Sequence, residues 1–307
     1  MKISASLVKE LRERSGAGMM DCKKALVETE GNIDDAMIYL REKGIAKAAK
    51  KAGRIAAEGL VSSQIDDKGG VMLELNCETD FAAKGESFMK LTDEMVTYFS
   101  QNAKEESSIV DMTDSYYDAT VEEMAKSAIA TIGENIKPRR FVRFTAQDNS
   151  SVHSYIHMGG KIGVLIEVAA DSKEKSSDAK VKEMAASIAM QVASMNPDCV
   201  DVDSFPKDKL EAEKSIYVTQ VLEMGKPENM VDRIVGGKLK KFVAANTLLE
   251  QDFVMDSDMK VKDFVKSVAK EIGTELEVVR FVRFELGEGI EKQETDFAAE
   301  VAAQMNS

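Results

Sequence analysis

The chain has no tryptophan, and aromatic residues make up only 6% of its 307 positions. Its cores must therefore be assembled from aliphatic side chains and from 18 methionines, which fill irregular gaps readily. Histidine occurs only as His153 and His157, and cysteine only as Cys22, Cys77 and Cys199. None of these stands at metal-ligand spacing. The two histidines read as residues of one strand, where they share a face but lie too far apart to hold a metal without a third ligand. A scattered, odd number of cysteines suits free thiols in a reducing compartment rather than a disulfide framework. No run of about 18 apolar residues occurs, and no signal-type apolar core stands near the start, so a cytoplasmic protein is expected. Positive charge is also in deficit, with 41 Lys and Arg against 54 Asp and Glu and a net charge of −13. Such a surface repels phosphates, which excludes a general nucleic-acid binder and favours protein partners.

Catalytic signatures are missing too. Met158-Gly159-Gly160-Lys161-Ile162-Gly163 is glycine-rich, yet it lacks the spacing and the Lys-Ser/Thr pair of a phosphate-binding loop and falls between strands. There is no nucleophile elbow, dinucleotide fingerprint or Cys/His constellation. The expectation is a protein that is not an enzyme, with no cofactor and no metal.

What is present begins with three short helical patterns in residues 1–54. Leu7, Val8 and Leu11 stripe the first, which Gly16 and Gly18 end. The second starts near Asp21 as a cap and buries Ala25 and Leu26; Asn32 caps a third, with Ala36, Met37 and Leu40 inside and Gly44 as its stop. Met19 and Met20 fall on the glycine-rich connection, where they either offer an adaptable apolar contact or pack inward. Lys43, Lys47, Lys50, Lys51 and Arg54 then make a basic segment, read as a solvated linker helix.

From Gly59 onward the period changes. Leu60–Ile65 and Val71–Leu75 flank the turn 66–70 as a hairpin, with Val71, Leu73 and Leu75 on one face of a half-buried strand and Met72 and Glu74 on the other. Helical spacing covers about 86–101 and 120–132, a polar loop lies between them, and Phe141-Val142-Arg143-Phe144 is a strand. The same order returns: strands 152–157 and 162–168, helices near 178–195 and 262–272, and a last strand with the identical tetrapeptide Phe281-Val282-Arg283-Phe284. Ile132-Gly133 and Arg140 recur as Ile272-Gly273 and Arg280. The core is thus an internal duplication of an α+β unit with small antiparallel sheets. The second copy is interrupted by helical patterns at 206–224 and 227–248, joined by Gly225-Lys226-Pro227, which read as an antiparallel, coiled-coil-like helical hairpin. A last short helix is expected at 294–304, with Phe297, Val301 and Ala302 as its apolar stripe. The expected organisation is 1–54 helical domain, 55–148 first core unit, 149–200 with 249–287 second core unit, 201–248 helical insertion, and 288–307 C-terminal module.

The most informative turn is Asn76-Cys77-Glu78-Thr79-Asp80-Phe81, on a strand-to-helix connection. Phe81 there either projects to enter a partner's pocket or folds back onto its own core.

Several segments together carry a resemblance: Leu7–Leu26, Ile45–Gly53, Asn76–Lys84 (NCETDFAAK), Ser154–Leu165, and Gly287–Ala303 (GEGIEKQETDFAAEVAA). Spread from end to end, they resemble the translation elongation factor Ts family. The resemblance implies a guanine-nucleotide exchange factor for elongation factor Tu, touching GDP and GTP only through that partner. It implies a ubiquitin-associated-like (UBA-like) N-terminal bundle, a duplicated α+β core, a coiled-coil arm and a C-terminal helical module. It further implies that Thr79, Asp80, Phe81 and Ala82 displace the partner's magnesium ion, with Phe81 wedging between its helices. His157, Met19 and Met20 would make other contacts on the partner. Ala82 departs from the Val common in the family, and residues 102–119 and 171–178 look longer or more polar than in a minimal member. The helical hairpin could contact the partner or pair two copies as a homodimer. Rival readings are a binding adaptor that leaves nucleotide release unchanged, an enzyme with an unrecognised acidic site, and a helical scaffold for which Phe81 is dispensable.

Overall fold

The computed structural model describes residues 3–104, 108–225 and 227–291. Helix α1 (Ala5–Ser15) is capped by Ser4, whose side chain accepts from the Leu7 N–H, and ends on Gly16 at φ 66°. Helix α2 (Met19–Glu28) begins two residues before Asp21, which sits in its first turn, where an acid meets the positive end of the helix. Met19 and Met20 are therefore helical rather than in a loop. Helix α3 (Ile33–Lys51) is capped by the Asn32 side chain, which accepts from the Asp34 and Asp35 N–H groups. It runs straight through Gly44, which is not a stop. A Cβ there would lie 2.8 Å from the Ala130 Cβ, so the glycine lets α3 cross close to a helix of the core. Val8, Leu11, Cys22, Ala25, Leu26 and Ala36 form the small core of these three helices.

The first core unit pairs β1 (Glu58–Asp66) with β2 (Gly69–Cys77) in an antiparallel hairpin, followed by α4 (Asp80–Ala83) and α5 (Glu86–Asn102). Next come β3 (Val110–Asp111), α6 (Ala119–Ile132) and β4 (Ile136–Thr145). The sheet order is β1-β2-β4-β3, so the polar stretch read as loop contributes a short edge strand. The second unit has β5 (Ser150–His157), β6 (Ile162–Ala170), α7 (Lys173–Ser176) and α8 (Ala179–Met195). Two antiparallel helices follow, α9 (Lys207–Glu223) and α10 (Glu228–Asn246), which close on Val221, Val231 and Val235. A small ribbon of β7 (Asp252–Phe253) and β8 (Asp256–Lys260), then α11 (Val261–Ile272) and β9 (Leu276–Glu285), complete it; the sheet order is β5-β6-β9. The molecule is α+β: helices around small antiparallel sheets. The helix expected at 294–304 lies outside the described residues. Among the described residues, no helix is long and apolar enough to cross a membrane.

Each sheet carries helices on one face. Leu73, Leu75, Phe88, Phe99 and Phe141 fill the first core, and Ile166, Val168, Met184, Ile188 and Val265 the second. The other two faces meet along a seam made of matching residues from both copies: Val61 with Val152, Met72 with Leu165, and Phe144 with Phe284. Gly70 and Gly163 occupy matching positions, and a Cβ on either would strike the other unit, at Leu165 and Val152 or at Val61 and Met72.

Because both its faces are covered, every residue of β2 is buried, and the expected half-exposed strand is not seen. Glu74 lies at 0% exposure, paired with Arg139 Nη1 at 2.9 Å and Arg140 Nε at 2.7 Å, and it accepts from the Gly287 N–H at 2.8 Å. Glu167 repeats the arrangement with Arg280 Nε at 2.6 Å and the Ser150 hydroxyl. The β-bulges also repeat, after Glu74 and after Glu167. Arg140 stacks over Phe284 at 4.4 Å and Arg280 over Phe144 at 4.1 Å, each arginine reaching the other unit's ring.

Candidate partner-binding site at a strand-to-helix turn

At the end of β2 the Thr79 hydroxyl accepts from the Ala82 N–H at 3.1 Å and starts the single turn of α4. Ala82 and Ala83 are buried against the core. Ala82 thus supports the turn from beneath. Helical spacing then drives residue 81 outward, and Phe81 is 86% exposed. It does not fold back. Asp80 beside it pairs with Lys84 at 2.7 Å, and that hydrogen bond, aided by Lys84 and Lys161 charge, holds its carboxyl below the usual range.

The base of the turn is tied from several sides. The Glu134 carboxylate accepts from the Glu78 N–H at 3.1 Å, the Thr79 N–H at 3.0 Å and the Thr79 hydroxyl at 2.7 Å. Glu78 in turn accepts from the Asn135 N–H at 2.6 Å and pairs with Arg54 at 3.2 Å. Cys77 is buried and donates to the Thr79 carbonyl at 3.1 Å. Burial, with the Glu134 charge adding to it, pushes its thiol up to about 12, so it stays neutral.

His157 ends β5 and is exposed, with Nδ1 2.8 Å from the Tyr155 hydroxyl. Met158 follows at φ 48° and 71% exposure. This hairpin tip is fixed to β1, because the Val61 N–H donates to the Gly160 carbonyl at 2.8 Å. Lys161 pairs with Glu58 of β1 at 2.8 Å, and Lys161 also acts on Asp80. The structure therefore brings Phe81, Asp80 and the His157 tip to one edge, around β1. Met19 and Met20, 50% and 75% exposed, sit on the helical domain instead. That domain joins the core through α3 on α6, with Arg41 paired to Glu123 and Lys51 donating to the Gly133 carbonyl.

His153 is unlike His157. It hydrogen-bonds the Ser151 hydroxyl at 2.8 Å, and burial, reinforced by Lys182 and Lys173, pushes its imidazole down to about 4. It is a neutral structural residue at pH 7. Among the described residues, no group of three or more His, Cys, Asp or Glu is arranged to hold a metal ion. Sequence reasoning missed Glu134 and Met158. Glu134 has no local signal, since it is 55 residues from Thr79 in the chain. Met158 becomes a contact candidate only once its positive-φ turn is seen to stand clear of the sheet.

The model of the family described as "Elongation factor TS" matches residues 78–288. A protein of Bdellovibrio bacteriovorus called elongation factor Ts is 47% identical over 305 residues, covering 99% of both chains. Proteins of the same name from Clostridium botulinum and Nostoc punctiforme are 48% and 45% identical over 307 and 309 residues, each spanning 99% of this chain and 99% and 98% of their own length. A family match over most of the chain, joined to full-length relatives at this identity, places the chain in the elongation factor Ts family.

Proposed function

We propose that the chain is a guanine-nucleotide exchange factor for elongation factor Tu in translation elongation, working by differential binding rather than by chemistry of its own. One observation carries this: a phenylalanine 86% exposed on a helix of four residues whose base is fastened to the core. An exposed aromatic ring held this firmly is an anchor for a partner's pocket. The family relationship names the partner.

In this mechanism Phe81 inserts between helices of the partner's nucleotide domain, and Thr79 and Asp80 approach the region of its magnesium ion. Ala82 keeps α4 seated on the core while this happens. Burying one Phe contributes about 1.5–3 kcal/mol, or roughly one to two decades in an equilibrium. That suffices to shift a helix and loosen a metal site, but not to hold the complex. The remaining affinity comes from the His157 tip, from Met19 and Met20 on the helical domain, and from the rest of the core. Linkage then requires that GDP weaken the complex by the same factor by which the complex weakens GDP.

The test is stopped-flow release of a fluorescent GDP from the cognate elongation factor Tu. Acceleration by orders of magnitude supports the reading. Complex formation without acceleration moves the assignment to a binding adaptor.

A further inference from the structure

The two core units allow the Phe81 turn to be compared with its own duplicate. Thr79 and α4 correspond to Ser172 and α7, each a hydroxyl-capped helix of four residues at the end of a central strand. Phe81 corresponds to Glu174. In the second unit the position of Glu134 is held by Thr274. There the Asp171 N–H donates to the Thr274 hydroxyl at 3.3 Å, and that hydroxyl donates to Asp171 Oδ2 at 2.7 Å. In the first unit a carboxylate takes that place and collects three donors from Glu78 and Thr79.

The geometry has a directional consequence. By accepting the Thr79 hydroxyl proton, Glu134 Oε1 turns a lone pair of that oxygen toward the Ala82 N–H, 3.1 Å away. The cap of α4 is thereby set by a residue on the far side of the turn. Charge-assisted hydrogen bonds hold geometry more firmly than neutral ones. In the second unit the tying carboxylate is Asp171 of the turn itself, which accepts from the Thr274 hydroxyl and the Glu275 N–H, whereas in the unit that displays a phenylalanine a carboxylate from across the turn accepts from the capping Thr79 itself.

We propose that Glu134 is a positioning residue for exchange: it orients Thr79 and α4 so that Phe81 stands ready to enter the partner. This rests on the exchange-factor reading. Glu134→Gln keeps the shape of the side chain but offers one acceptor oxygen instead of two. Thr79→Val breaks the same relay from the other end. Each variant is measured in the full-length protein for fluorescent-GDP release from cognate elongation factor Tu at saturation, for affinity toward nucleotide-free Tu, and for hydrogen exchange at the Thr79 amide.

Glu134→Gln is expected to slow saturating release roughly fivefold, the scale of a lost helix cap. Affinity for nucleotide-free Tu should stay within about twofold, and the Thr79 amide should exchange faster. In the Phe81→Ala background, Glu134→Gln should cost nothing more, because both act through one ring. Additive losses in the double variant would overturn the proposal, as would a parallel loss of affinity or unchanged Thr79 protection. If Glu134→Gln does not fold, Thr79→Val decides by the same three readouts. Failure of the wild-type protein to accelerate release defeats the exchange reading, and is distinct from a Glu134→Gln variant that exchanges as fast as wild type.

Discussion

The two core units are the same construction put to different ends. Both bury a glutamate on the central strand against an arginine from the last strand, both place a bulge beside it, and both send an arginine over the partner unit's phenylalanine. Both finish the central strand with a capped single turn of helix. They part at the tip of that turn, where one carries Phe81 and the other Glu174, both exposed. The fold tolerates an acid at this position, so folding does not require an aromatic there. An exposed aromatic there fits the proposed role toward a partner. The helical hairpin α9–α10 is likewise found in one unit only, which makes the second unit a platform for an insertion and the first a platform for a side chain.

The comparison can be broken at its buried charges first. Glu74→Ala leaves Arg139 and Arg140 without their shared carboxylate, and a loss of about 3–5 kcal/mol in urea unfolding is expected. Glu167→Ala takes the carboxylate from one guanidinium, that of Arg280, rather than two, and should cost less; equal losses would show that the second guanidinium on Glu74 adds nothing. Next in size is the exposed ring. Phe81→Ala should slow the stimulated release of GDP from elongation factor Tu about 10- to 100-fold, with a melting temperature close to wild type, while Glu174→Ala should leave both unchanged. A matching effect at the two positions would remove the asymmetry on which the functional reading stands.

A smaller effect separates the units by pH. His153 has Ser62 as its counterpart, so only the second unit carries a partly buried imidazole. Its folded value is near 4 against an ordinary 6.5. Between those values the unfolded chain binds more protons, so stability falls as pH drops from about 6.5 to about 4 and levels off below. With its partial exposure discounted, this amounts to roughly 2 kcal/mol. His153→Gln should flatten that slope in denaturation measured at pH 7, 5.5 and 4.5. The smallest change is expected from Asp80→Asn. Asp80 and Lys84 are both exposed, and their pair is screened, so the melting temperature should hold within error.

Much of this architecture could be read from residue pattern. The repeated Phe-Val-Arg-Phe, the two hairpins and the flanking helices announce the duplication. Period-2 alternation fails for β2 because it describes a strand with one wet face, and here a second sheet covers the other. Glu74 looked like a surface acid for the same reason; only the arginines brought in by β4 make its burial tolerable. Gly44 looked like a stop because sequence shows its flexibility but not the helix it touches. At the site, the position of Phe81 on a strand-to-helix turn was legible, but its direction was not. Outward projection follows from Ala82 and Ala83 packing inward, and from Glu134, which chain separation hides. The edge shared by Phe81 and His157 depends on how the two sheets meet.

The seam between the sheets has a wider meaning. It is lined by matched residues facing one another across an approximate two-fold axis, with two glycines admitting the close approach and two arginines crossing in opposite directions. That is the form of an isologous subunit interface. A single unit on its own would expose Val61, Met72, Val142 and Phe144 as an apolar face. With both units in one chain, that face is covered internally, and the two halves can carry different side chains and insertions. An exposed Phe81 on one half and the helices α9 and α10 on the other are such differences.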